Sequence, residues 1–487
     1  MRENKQEALA AIGRDKGLNV VILDDHKQMA LNKQFYRGHI DDFHTYTLRD
    51  VKGKTYQGKK VSTQIAKRIA EDVSSLLFNE DSEIYYEEDG VNDVLQSILR
   101  ENRFHHQFSD FLETTYGALG NGYAVIYLKE GMPKLDFING DDVYITKHDN
   151  GQTYGIVVVA EKTVGKEEYM HLTFHTIHND RYECIHEFYK NGEKLTTLQN
   201  IEEVFGVEAD SLKAIQKGGQ FKFEVMTDYK YFVHFKPAIK NNHDIKSPYG
   251  ISIIANARDL IKSLDDVYTS SIVEYENGKN RIFVNTSLLE KKMIPHSDGS
   301  VDMIDFFDGN KTEYVAMPLG EGQEPIKVFN PTLREAEFEG AINRTLSMIG
   351  FQVGFGKSYY SMKDGVVSNT ATEVKMNKSD LWRNIKKHQN LLEEQLIELA
   401  AGLLDAAGIS FDVEKIKVHF DDSIIIDDEA EYQKDLVKYE KGLMSKKQFL
   451  MKHEQLTEQE AQEWVKEIDE ESNLGVFDES IDTESMA

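Results

Sequence analysis

The sequence carries a single cysteine, Cys184, so no disulfide can close within the chain, and that usage fits synthesis in a reducing cytoplasm. It also lacks any run of about 18 apolar residues, which argues against a membrane span. The first residues, Met1-Arg-Glu-Asn-Lys-Gln-Glu7, are too polar to read as a secretory signal. Positive charge is scarce: 57 Lys and Arg stand against 84 Asp and Glu, a formal charge of −27. Affinity for a phosphate backbone comes from basic patches that release counterions, so tight nucleic-acid binding is not expected. The deficit is uneven, because residues 421–487 hold 20 acidic and 7 basic residues. An acidic surface lets a polyanion pass without sticking; it equally serves to keep an abundant protein soluble.

What the chain does have is material for cores. Hydrophobic residues make up 40% and aromatics 10% of 487 residues, enough for two or three folded domains. No internal repeat or low-complexity segment is apparent. Up to about Asp244 the pattern is mixed. Ile65, Ile69, Val73, Leu76 and Leu77 mark a helix within 61–78, and one or two more run from Val91 to Tyr116. Gly117-Ala-Leu-Gly-Asn-Gly122 then breaks the periodicity and feeds a strand over 123–128. Further strands are expected at 137–138, 143–146, 155–160, 169–177, 182–189 and 229–235, which makes the fold class α+β.

Ser247-Pro-Tyr-Gly250 suits a turn into a helix, and Ile254, Ala257, Leu260, Ile261, Leu264 and Val267 trace one face of it from Ile251 to about Glu276. Asn277-Gly278 reads as its cap. Strand-like runs at 281–285, 301–306 and 314–317 form a compact insert. A second helix follows Pro331, with Leu333, Phe338, Ala341, Ile342, Leu346 and Ile349 on one face and Gly350 expected to stop it. The loop from Phe351 to Gly365 mixes glycines, Lys357, Lys363 and aromatics including Phe355, Tyr359 and Tyr360, a composition suited to touching something polar and long. From about Thr370 a helix of roughly 35 residues is expected, at ~1.5 Å per residue a beam more than a local prop. Short strands follow at 415–420 and 423–426, then helices near 428–440, 445–452 and 457–471. Ser445 and Thr457 serve as N-caps, and disorder is expected beyond about Asn473.

Chemical motifs are weak. Gly356-Lys357-Ser358 invites a nucleotide-binding reading, but the glycine a P-loop needs falls at Phe351, and a helix precedes the motif where a strand should. Gly117, Gly120 and Gly122 lack the dinucleotide-binding order. His171, His175, His178, Cys184 and His186 are good zinc-ligand types, yet strand alternation puts His178 away from His171 and His175, so surface histidines are the expected reading and no metal. His105-His106 is weaker still. Acid pairs at Asp24-Asp25, Asp41-Asp42, Asp141-Asp142, Asp265-Asp266 and Asp421-Asp422 raise a two-metal nuclease or other hydrolase as the enzymatic alternative, though such pairs are commoner as caps and solvated turns. No Ser, His and Asp set stands out, and Cys184 on a strand-like run is more often packing than nucleophile.

Taken in order, five stretches resemble the portal proteins of tailed bacteriophages that infect Gram-positive bacteria. They are Gln64 to Glu80, Tyr116 to Val125, Pro248 to Asp265, Thr370 to Val374 with the helix behind it, and Gly442 to Lys447 with Leu456 to Ala461. The resemblance implies a wing over 1–246, a first stem helix over 247–277, a clip over 278–330 and a second stem helix over 331–350. It further implies a tunnel loop over 351–369, a long wing helix and return strand over 370–420, and a crown with an acidic tail over 421–487. Stem packing would fall to Leu260, Leu264, Val267, Phe338, Ile342 and Leu346. In the loop, Lys357 and Lys363 would brush phosphates while Phe355, Tyr359 and Tyr360 pack between neighbouring loops.

The function implied is mechanical. A ring of about twelve copies, closed by heterologous contacts, sits at one capsid vertex of the virion. Double-stranded DNA passes through it without sequence-specific binding. The terminase large subunit docks on it, and major capsid, scaffolding and head-tail adaptor proteins are the other partners. No catalytic residue, cofactor or membrane is implied, and synthesis takes place in the host bacterial cytoplasm. A virion scaffold or adaptor without a bore is the third reading; it keeps the acidity and helices but has no need of a loop between two long helices.

Overall fold

The computed structural model describes residues 25–50, 52–195, 201–205, 215–217, 220–285, 291–295, 298–299, 301–305, 314–317, 326–362, 371–421, 435–439, 441–453, 462 and 464–466. The chain divides into two units, Met1–Phe420 and Asp421–Ala487. In the first, helices α1 (Asp25–Tyr36), α2 (Ile65–Leu77), α3 (Asp89–Glu101) and α4 (Phe104–Leu112) precede the two larger sheets, with α4 running on into a π-helical turn, Glu113–Leu119. Then come α5 (Arg258–Asn277), α6 (Glu335–Val353) and the 36-residue α7 (Ala371–Ala406). Mixed helix and strand make the class α+β.

The largest sheet has seven strands. Gln152–Val164, Glu167–Ile177 and Arg181–Lys190 form its antiparallel centre, Val143–Asp149 one side and Gln220–Met226 with Gln216–Lys217 the other, while Glu193–Lys194 pairs off the path. A three-stranded sheet of Phe232–Phe235, Gly122–Lys129 and Met132–Asn139 packs against α7, whose Leu381, Ile385, Leu392, Leu396, Leu399, Leu403 and Leu404 are all buried. Three- and four-residue spacing keeps those leucines on one face, and so the sequence pattern locates the beam. Rings of Phe78, Phe104, Phe108, Phe111, Phe137 and Phe235 form an edge-to-face and stacked cluster under the same sheet.

Two further pairings frame the long helices. Strand Arg281–Asn285, just past α5, lies between Tyr314–Met317 (parallel) and Ile326–Phe329 (antiparallel), the latter just before α6; Arg281 stands opposite Phe329. Lys291–Pro295 and Val301–Asp305 make a separate pair. Near the start of the chain Thr45–Arg49 and Thr55–Lys59 form a hairpin that the sequence pattern does not announce.

Two expectations at the helix ends need correction and one holds. Ile251 to Ile254 is buried but not helical: Ile253 N donates to Tyr116 O at 3.0 Å and Ser252 Oγ to Gly117 O at 2.8 Å, so the segment is spent on cross-chain bonds and the α-helix starts at Arg258. Gly278 is the C-cap of α5 as expected, its N donating to Glu274 O at 2.7 Å with φ −78°, and an added Cβ there would meet Leu333. Gly350 does not stop α6. The helix continues to Val353 and turns off at Gly354 (φ 86°), while Gly350 is where the carbonyl of Gly356 comes close, 2.4 Å from where a Cβ would stand.

In the second unit, α8 (Lys446–His453) starts as the sequence suggests. Gln448 N donates to Ser445 Oγ at 3.2 Å and Ser445 N to Gln448 Oε1 at 3.1 Å, a reciprocal capping box. The strand expected at 423–426 and the cap at Thr457 lie outside the described residues. Among the described residues no helix is long and apolar enough to cross a membrane.

Two buried rings give the first unit an acid sensitivity. His388 Nδ1 accepts from Ala238 N at 3.0 Å, and His175 Nδ1 and the Tyr182 hydroxyl lie 2.6 Å apart. Burial pushes His388 down to about 4 and His175 down to about 3. In the unfolded chain each ring titrates near the ordinary value of about 6.5. Below that pH the unfolded state binds more protons, so stability falls as pH drops and is unaffected by these rings above it. The share of the calorimetric Tm that these rings govern should therefore be constant near neutral pH and decline towards pH 4, with His388→Gln reducing the slope. An unchanged slope would remove His388 from the account.

Candidate DNA-channel elements

Helices α5 and α6 pack against each other. Leu264, Ile342 and Leu346 are buried in that contact region, and Leu260, Val267 and Phe338 are half-buried in the single chain. At the far end Arg334 grips Glu274 with two bonds, Nε to Oε1 at 2.9 Å and Nη2 to Oε2 at 2.7 Å. That pairing raises the arginine's pKa and lowers the glutamate's, each through hydrogen bonding to the other.

The segment after α6 is folded down, not splayed out. Phe355 is 1% exposed and lies 4.8 Å from the Tyr359 ring and 6.1 Å from that of Tyr360. The Tyr360 hydroxyl donates to Asp72 Oδ2 of α2 at 2.9 Å, and Arg68 holds the other oxygen of the same carboxylate at 2.8 Å. Burial first, then the Asp72 charge and hydrogen bond, drives the Tyr360 hydroxyl up; burial with the same charge pushes Tyr359 up to about 12. Asn384 of α7 donates to Val353 O at 3.5 Å, and Met362 N donates to Asn343 Oδ1 at 2.8 Å. The expectation that Phe355 packs between neighbouring loops is therefore corrected: the ring is consumed within its own chain because the left-handed turn at Gly354 folds it back. Tyr360 is likewise committed to Asp72. Lys357 is exposed, its Nζ 5.7 Å from the Phe351 ring centre, and Tyr359 is 38% exposed; Lys363 lies outside the described residues.

The residues that suggested enzyme chemistry are dispersed. His171 Nε2 faces His186 Nδ1 at 3.1 Å and Cys184 Sγ faces His186 Nε2 at 3.5 Å, so the two neighbours contact opposite sides of one ring. His175 turns to Tyr182, and His178 sits 3.1 Å from Lys147 Nζ. Among the described residues no group of three or more His, Cys, Asp or Glu is placed to hold a metal. Burial pushes the Cys184 thiol up to about 12, which suits packing and not attack. Of the acid pairs, Asp265 is buried beside His44 and Thr63, Asp266 pairs with Lys60, and Asp141 with Lys33. A cleft at the end of the large sheet mixes Lys147 and Lys230 with Asp149, Asp180 and Asp228, so it carries no dominant charge.

The family model for phage portal proteins of the SPP1 Gp6-like type matches residues 22–474. The chain belongs to this family. No curated protein matches the chain at a significant level. As a portal protein it is a capsid component of the virion that serves DNA packaging, and the hydrolase and bore-less readings are not favoured. The family is structural. Sequence reasoning located the portal's long helices but missed Asp72, Arg68 and Asn384, the residues that fix the segment after α6. Their only sequence signal was membership of helices already seen for other reasons.

Proposed function

We propose that this portal protein closes into a ring of about twelve copies at one capsid vertex of a phage with a Gram-positive host, and that double-stranded DNA enters and leaves through its bore. In this reading α5 and α6 are the stem, the strands between them the clip, the segment beyond Gly354 the base of the tunnel loop, and α7 the wing helix. The terminase large subunit docks on the assembled ring during packaging. Capsid, scaffolding and adaptor proteins surround it in the virion. The observation that carries the reading is the order of parts: two packed helices bracketing a small β unit, followed by a bracketed turn and a 36-residue helix, in a chain matched by the portal family over 22–474.

Imaging of purified protein, with its mass in solution, tests the ring. Copies arranged about a central hole support it, and a uniform monomer in the presence of capsid partners sinks it. Within the loop, Lys357 and Lys363 are assigned transient contact with phosphates. An acidic chain makes an exposed cation beside the DNA path a local exception, and one or two such charges slow a polyanion without holding it. Lys357→Ala with Lys363→Ala should leave ring formation intact and lower the yield of filled particles several-fold. Normal filling in the double variant would withdraw the role.

A further inference from the structure

The hairpin Thr45–Arg49 and Thr55–Lys59 stands apart from the rest of the first unit. Its two strands pair only with each other among the described residues, and no residue of either is buried. Two-stranded hairpins of this kind are marginal in water without a packing surface. The register places Leu48 opposite Tyr56 and Tyr46 opposite Gly58 on one face, with Thr45, Thr47, Arg49, Thr55, Gln57 and Lys59 on the other. Tyr56 is 53% exposed, while Tyr46, Leu48 and Gly58 on the same face are half-buried, so the single chain covers that face only in part.

Its charge is also out of character. Residues 45–60 carry Arg49, Lys52, Lys54, Lys59 and Lys60 against Asp50 alone, in a chain of formal charge −27. Lys60 is paired with Asp266 at 2.6 Å, whereas Arg49, Lys52, Lys54 and Lys59 are exposed and have no ion-pair partner among the described residues. Asp50 is spent inside the turn, its Oδ1 accepting from Lys52 N at 2.9 Å and Lys54 N at 2.8 Å.

The base, by contrast, is tied firmly to α5. Asp265 accepts from Thr63 N and Thr63 Oγ1, both at 2.7 Å, and lies 3.0 Å from His44 Nε2. Val61 N donates to Thr269 Oγ1 at 3.0 Å. A firmly rooted arm with a partly covered apolar face and a basic tip is built to be gripped by something outside its own chain.

We propose that this hairpin is an arm that docks on a second copy of the chain, its Leu48 and Tyr56 face covered by the neighbour and its basic side chains set against the neighbour's carboxylates. This rests on the ring reading. Charge complementarity selects the occupant, since a cationic arm meets in another copy a partner with 84 carboxylates against 57 cations. Reach is adequate: five residues of strand extend about 17 Å, and packed helices sit roughly 10 Å apart. Duplex DNA fits less well, because it offers phosphates to the lysines but no apolar surface for Leu48 and Tyr56, its bases being stacked away.

The test is carbodiimide coupling of lysines to carboxylates in rings assembled from equal amounts of unlabelled and nitrogen-15-labelled protein. Coupled peptides containing Lys52, Lys54 or Lys59 are expected with mixed labels, and Lys52→Glu with Lys54→Glu should raise the concentration for half-assembly about tenfold. Rings whose hairpin lysines couple only within one copy, and which assemble unchanged in the double variant, would overturn the arm while leaving the ring standing. A monomeric wild type would overturn both. Loss of duplex-DNA binding in the double variant, without inter-copy coupling, would overturn the arm in favour of a nucleic-acid contact.

Discussion

Gly120→Ala is expected to yield little or no folded protein. Gly120 has φ 74°, and a Cβ there would lie 2.3 Å from the backbone C of Ile251 and N of Ser252. Those are main-chain atoms and have no rotamer through which to move away. The left-handed conformation itself costs an alanine about 1–2 kcal/mol, and relieving the overlap would pull apart the bonds that join the strand at Gly122 to the approach to α5. Gly250 N donates to Asn121 Oδ1 at 2.8 Å, Asn121 Nδ2 to Gly250 O at 3.0 Å, and His234 Nε2 lies 2.9 Å from the same Asn121 oxygen. Soluble yield and thermal melting read the outcome. A variant melting within about 2 °C of the parent would show that the contact relaxes cheaply.

Phe355→Ala is expected to cost about 3–5 kcal/mol, the usual range for emptying a buried aromatic site. The ring is 1% exposed and lies against Tyr359 and Tyr360, so its loss removes packing that holds Tyr360 over Asp72. Urea unfolding measures the stability change, and limited proteolysis after Gly354 should accelerate in step. Tyr360→Phe provides the companion reading. Losing a hydrogen bond to a buried carboxylate costs about 1–3 kcal/mol, with the carboxylate left to Arg68 alone. If Phe355→Ala unfolds at the parental urea concentration, the turn is not the anchor described.

Much of the architecture was readable because its helices announce themselves. Helix α7 buries Ile385, Leu392, Leu396, Leu399 and Leu403 on a single stripe, and α6 buries Ile342, Leu346 and Ile349 at the spacing the sequence displays. Helix α1 was silent for a physical reason. It buries Met29 and Phe35 beside Asp25, His26 and Asn32, and the polar members are supported from far along the chain: Asn241 Nδ2 and Ser247 Oγ donate to Asp25, and His26 Nε2 meets Val143 O. Partners more than a hundred residues away leave no local period. The same distance hid the setting of Phe355 and Tyr360, which depends on Asp72, 288 residues from Tyr360. Composition marked that stretch as a loop able to touch a polar surface; only the tertiary fold shows which of its aromatics are already taken.

The strands that join α5 to α6 carry a mechanical consequence. Arg281 opposite Phe329 and Val284 opposite Ile326 lock the outgoing and returning chain together just beyond the two helix ends. Slipping that pairing by one residue, about 3.3 Å of travel, would turn every side chain of the shifted strand to the opposite face. The two rods are thus yoked: an axial push on either is delivered to both, and the pair answers load as one strut with no internal slip.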